Sequence, residues 1–144
     1  MKRLMIAFAL TVLSGATFTA ATQGLPVTKA PAGASAYIIS PRDGATVPQS
    51  FTVRFGLKGM GVAPAGVEKA GTGHHHLLVD AKQLPAAGQP IPSDAHHIHF
   101  GGGQTQTTLK LAPGTHTLQL ELGDAHHVPF DPPLVSKRIT IHVK

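Results

Sequence analysis

Glycine and proline punctuate this chain so closely that no run of about twelve residues carries an apolar stripe at helical spacing. With 16 Gly and 12 Pro among 144 residues, the backbone is cut into short pieces joined by turns, which disfavours long helices. Within those pieces the apolar residues alternate with period two. Ala36 to Ser40 is a short strand stopped by Pro41 and the turn Arg42-Asp43-Gly44. Phe51, Val53, Phe55 and Leu57 share one face, with Thr52 and Arg54 on the other. Thr105 to Leu111 and Thr115 to Leu122 are two further strands, separated by the hairpin signal Ala112-Pro113-Gly114. Lys137 to Val143 closes the set, with Ile139, Ile141 and Val143 inward, while 58–73 and 81–94 read as long loops. Strands of this length and spacing predict an all-β domain over 36–144, an immunoglobulin-like or fibronectin-like antiparallel β-sandwich.

The first residues belong to another category. Lys2 and Arg3 precede an apolar run from Leu4 to Leu13, and small residues follow through Ala21. A basic start, about ten apolar residues and a small-residue region make a secretory signal peptide over 1–21, too short to span a bilayer comfortably. Cleavage after Ala16 or Ala21 satisfies the small-x-small rule, and Ala21 is preferred. Residues 22–35, TQGLPVTKAPAGAS, show no apolar period and read as a flexible leader. Without residues 1–21 the Lys+Arg count falls from 12 to 10 against 7 Asp+Glu, leaving a net charge of +3 from scattered bases. That excludes the electrostatic footprint of a nucleic-acid binder. The chain is expected to be periplasmic or secreted, with no membrane span once the signal is removed. Cysteine is absent, so an exported domain of this size has to hold without disulfides, and no thiolate is offered to a metal or a substrate.

Histidine is the outlier, and eight of the ten fall in three short groups: His74, His75 and His76; His96, His97 and His99; His126 and His127. In a strand opening at Gly73, His74 and His76 point one way while His75, Leu77 and Val79 point the other, toward the core. The spacing repeats at His97 and His99. Residues i and i+2 of a strand are about 6–7 Å apart, so two rings on one face can turn their nitrogens toward one ion. His74, His76, His97 and His99 are therefore first-choice metal ligands, with His127 and Asp124 able to complete or replace a pair. Imidazole and carboxylate donors without thiolate suit a divalent transition metal, Cu(II) or Zn(II). Coordination needs neutral rings, so affinity is expected to fall steeply below about pH 6. His116 shares a face with Leu118, Leu120 and Leu122 and reads as a hydrogen-bonded structural residue, and His142 reads as surface. Phosphate-loop, dinucleotide and serine-hydrolase motifs are all missing.

The segments Ser40-Pro41-Arg42-Asp43-Gly44-Ala45-Thr46-Val47, Phe51 to Leu57, Gly73-His74-His75-His76-Leu77-Leu78-Val79-Asp80, His99-Phe100-Gly101-Gly102-Gly103-Gln104-Thr105, Pro113 to Leu120 and Gly123-Asp124 through His127 together resemble the exported bacterial family filed as domain of unknown function 4399. The resemblance covers about Ser40 to Lys144. It implies a small periplasmic module with these histidines as family features, and it supplies no activity. Family members often have His where Phe130 stands here, so one donor is missing from the third group. The residues thus point to an exported metal-binding protein for storage or delivery, acting on a metal ion and handing it to a periplasmic protein client. Two other readings compete with it. One is a non-catalytic envelope interaction module with pH-responsive histidines. The other is a metalloenzyme similar to superoxide dismutase, which also sets His-x-His pairs on a β-sandwich.

Overall fold

The computed structural model describes residues 24–144, and the expected signal segment 1–21 lies outside them. Among the described residues the regular structure is all β. The strands are β1 (Ser35–Ser40), β2 (Thr46–Val47), β3 (Ser50–Lys58), β4 (Gly61–Val62), β5 (Thr72–Val79), β6 (His97–His99), β7 (Gln106–Lys110), β8 (Gly114–Gly123) and β9 (Ile139–Val143). No helix among them is long and apolar enough to cross a membrane.

Two sheets form. One is three-stranded, in the order β1-β3-β7; the other runs β2-β9-β8-β5-β4, with β6 also paired to β5. The long pairings are antiparallel, but β2 with β9 and β4 with β5 are parallel. The sheets are therefore mixed where wholly antiparallel ones were expected. Both exceptions are two-residue strands, too short to show an alternation, laid along sheet edges.

Alternation decides what each sheet buries. Val53 and Phe55 of β3, Leu77 and Val79 of β5, Leu118, Leu120 and Leu122 of β8, and Ile139, Ile141 and Val143 of β9 form one apolar core. Each such side chain contributes about 1.5–3 kcal/mol on burial, and the core is drawn from both sheets. Strand β5 has its second face buried along most of its length: His74, His76 and Leu78 are 1%, 1% and 2% exposed. The 81–100 and 124–136 segments are placed to cover that face, through β6 along one edge of β5 and through hydrogen bonds to the end of β8.

The described part of the leader, from residue 24 onward, makes hydrogen bonds to the rest of the chain. Leu25 N–H donates to the Gly88 carbonyl at 2.9 Å, Ala30 N–H to that of Asp131 at 2.9 Å, and Asp131 N–H to that of Thr28 at 2.9 Å. Thr28 Oγ1 donates to Asp124 Oδ2 at 2.7 Å. Polar backbone in a segment without apolar period finds its partners on the loops it crosses.

At the opposite end of β5, His116 is the hydrogen-bonded residue expected from its position. Its Nδ1 donates to Asp80 Oδ2 at 2.7 Å and its Nε2 to the Ala112 carbonyl at 2.9 Å, while Asp80 Oδ1 accepts Thr117 N–H at 2.8 Å. Two donating nitrogens mean an imidazolium. The Asp80 bond raises its pKa above 6.5, outweighing partial burial. Its contribution to stability is complete below the unfolded value of 6.5 and is lost as pH rises through the higher folded value. Replacing His116 by Ala should cost about 1 kcal/mol at pH 6, allowing for the pair's partial exposure, and less at pH 9. Thermal unfolding at the two pH values measures the difference, and an equal loss at both contradicts the ion pair.

Candidate metal centre

Register explains which histidines meet. His76 of β5 lies opposite His99 of β6 on one side and Glu121 of β8 on the other, so the three occupy one row and share a face. His74 is two residues along the same face, opposite Gly123. The absence of a side chain at Gly123 is required there, since a Cβ would come within 2.9 Å of His76 Cε1 and 3.2 Å of the His127 backbone. Gly101 makes similar room for the ring of His99, whose Cε1 stands 2.4 Å from where a Cβ would be.

The fourth ring comes from the turn after β8. Asp124 organises it: Oδ1 accepts N–H bonds from His126 at 2.9 Å and Val128 at 3.0 Å. Asp124 N–H donates to the Val128 carbonyl at 2.9 Å, and His127 N–H donates to that of Asp124 at 3.0 Å. These bonds hold His127 in the left-handed region, φ 65°, an unfavoured conformation for a residue with a side chain. Its carbonyl accepts Ile91 N–H at 2.8 Å. The turn thereby aims the His127 ring at the face of β5.

His74, His76, His99 and His127 converge, with one ring nitrogen from each lying within 4.8 Å of all the others. His74 Nε2 and His127 Nδ1 are 3.1 Å apart. A tetrahedral ion with bonds of about 2.0–2.1 Å needs nitrogens roughly 3.3–3.4 Å apart, so this pair has to open slightly and a pair near the 4.8 Å limit has to close by roughly 1.4 Å. His74 Nδ1, His76 Nδ1 and His99 Nε2 are buried and lack hydrogen-bond partners. Native interiors rarely leave polar atoms in that state.

Two of the expected ligands lie outside the group. His97 shares the face but sits opposite Leu78, two residues from His99, and its Nδ1 donates to Asp94 Oδ1 at 2.9 Å. Asp124 spends its carboxylate on Thr28 and the turn. Of the remaining histidines, His96 Nδ1 donates to the Val79 carbonyl at 2.8 Å, and His126 and His142 are exposed. Phe130, the position at which the resemblance led us to expect a further His, is part of the apolar core. The group therefore reaches four imidazoles without that position. Glu121 was not among the expected site residues, although an acid between Leu120 and Leu122 has to face whatever covers the far side of β8. It is fully buried, and neither carboxylate oxygen has a partner.

Burial and neighbouring rings favour the neutral form of His74, His76 and His99. Burial first, then the neighbouring rings of His127 and His99, brings His74 down to about 4. Burial, helped by His74, His99 and His127, brings His76 down to about 3. His99 is lowered by burial and by His127. Burial pushes Glu121 up to about 7. Loss of affinity near pH 6, as expected for ordinary imidazoles, therefore does not carry over to the buried pair. Neutral rings are the form a metal requires.

His75 faces the core, as expected, against the ring of Phe55 with centroids 5.2 Å apart. Neither of its nitrogens has a partner, and burial lowers its pKa to about 4. Unfolded histidines take a proton near 6.5 while His74, His75 and His76 do not, so the unfolded state binds more protons between those values. Stability of the metal-free protein should fall as pH drops from 6.5 toward 4, by about 1–2 kcal/mol per buried ring at pH 5. His75→Leu should stabilise the protein by about 1 kcal/mol at pH 7 and by more at pH 5. Denaturant unfolding of both proteins at the two pH values checks this, and a destabilised variant contradicts it.

Among the comparisons with known proteins, the family profile alone finds a match, and it gives a family without a function. No curated protein and no solved structure matches the chain. The profile of the family described as Domain of unknown function (DUF4399) matches residues 53–144, which takes in all four converging histidines and most of the β scaffold. The chain belongs to that family.

Proposed function

We propose that this chain is an exported metal-binding protein that holds one divalent transition ion, Cu(II) or Zn(II), in the imidazoles of His74, His76, His99 and His127. The observation that carries the reading is the approach of one nitrogen from each of four rings to within 4.8 Å, two of the rings being buried. The donor chemistry supports it as well: four imidazole nitrogens without thiolate suit these ions and disfavour Cu(I). The basic and apolar start of the chain supports export to the periplasm, and the two sheets around one core are read as an immunoglobulin-like sandwich. His99 and His127 are partly exposed, whereas His74 and His76 are not. An ion would therefore enter and leave past the first two rings, which suits storage or delivery to a protein client. A pH-responsive role near neutrality is less well supported, because burial holds His74 and His76 far below the range in which they would respond.

Protein purified without a polyhistidine tag should bind one Cu(II) or one Zn(II) per chain in a competition titration. The His74→Ala/His76→Ala double variant should lose at least about 100-fold in affinity, and His97→Ala should stay close to wild type. Weak, nonstoichiometric uptake by the wild type, or uptake unchanged in the double variant, overturns the reading.

A further inference from the structure

We propose that Glu121 is a positioning residue for the metal centre, accepting a hydrogen bond from the ring nitrogen of His76 that faces away from the ion. The inference rests on the four-imidazole reading and assigns a role to a residue outside it. Glu121 is 0% exposed, and both of its carboxyl oxygens lack a partner. A buried acid left in that state destabilises a fold, and an apolar residue on β8 would serve packing better. The row of register places His76 between His99 and Glu121. One neighbour is a fellow ligand, and the other is the nearest side chain across β8 on the same face.

A histidine that gives one nitrogen to a metal carries a proton on the other, and that N–H normally finds an oxygen acceptor, which fixes the tautomer and the angle of the ring. His76 Nδ1 is buried without a partner. Side chains directly opposed on antiparallel strands have Cβ atoms about 4.5–5.5 Å apart, so rotation of the carboxylate or the ring is enough to join them. Residues 134–136 hydrogen-bond along β8 beside it, with Leu122 N–H on the Leu134 carbonyl at 3.0 Å and Ser136 N–H on that of Leu120 at 2.9 Å. Glu121 and His76 are 0% and 1% exposed, so water is kept from the pair, and Glu121 is the acceptor at hand.

The test compares wild type, Glu121→Gln and Glu121→Leu in Zn(II) competition titrations, together with thermal unfolding of the metal-free proteins. Gln retains an oxygen acceptor and should bind within about threefold of wild type, whereas Leu should lose about 10–100-fold. Metal-free Glu121→Leu should unfold at a higher temperature than wild type, so its weaker binding is not a folding defect. NMR of the Zn(II)-loaded wild type should show a slowly exchanging ring N–H on His76, a readout that needs no variant. Wild-type affinity in Glu121→Leu overturns the proposal while leaving the four-imidazole centre intact. A loss in Glu121→Gln equal to that in Glu121→Leu also overturns it, by making the carboxylate itself a ligand. Absence of the protected N–H overturns it too, and failure of the wild type to bind Zn(II) overturns both readings.

Discussion

Burying a polar ring without a partner costs free energy, and β5 does so at three successive positions. His74, His75 and His76 are almost inaccessible, and each has at least one ring nitrogen with no hydrogen bond. A chain free to optimise stability would place valine or leucine there, as it does at Leu77 and Val79. The arrangement persists because β5 lies inside its sheet, with β8 along one edge and β4 and β6 along the other, and the leucines around it supply a core large enough to offset the cost. The rest of the structure is arranged around this strand.

What converts buried rings into a possible centre is the turn after β8. Its left-handed residue is His127, held there by Asp124 and by the Ile91 N–H. Asp124 in turn is fastened to Thr28, so the leader, the 81–94 loop and the turn brace one another over the open side of the group. In a chain without disulfides these hydrogen bonds keep the partly exposed His127 ring aligned with the buried ones. Gly123 and Gly101 complete the fit by leaving space where any side chain would strike a ring.

Period-two alternation made the long strands legible, and with them the inward face of β3, β8 and β9 and the division of His75 from His74 and His76. It also gave His99 as a candidate, while His127 came from the clustering of histidines in a loop. It could not give the pairing of β5 with both β6 and β8, because nothing in a local spacing encodes which strands lie side by side. That pairing selects His99 over His97: the two share a face, but only His99 is level with His76. Asp124 looked like a donor because carboxylates bind ions, and only the turn reveals that its oxygens are already engaged. The two-residue parallel strands carried no pattern to read, and the leader's low apolar content concealed the hydrogen bonds and small side chains that dock it. Glu121 was accessible in principle, as a lone acid in a leucine-rich strand, yet its meaning depends on knowing that the far face of β8 is covered.

The central claim is that four particular imidazoles surround one ion. X-ray absorption spectroscopy of the Zn(II)- or Cu(II)-loaded protein measures this directly, since imidazole rings give characteristic outer-shell scattering. The account predicts a shell of four nitrogens, with three or four assigned to imidazole and, for Zn(II), bond lengths of about 2.0–2.1 Å. A shell dominated by oxygen, with one imidazole or none, would contradict it.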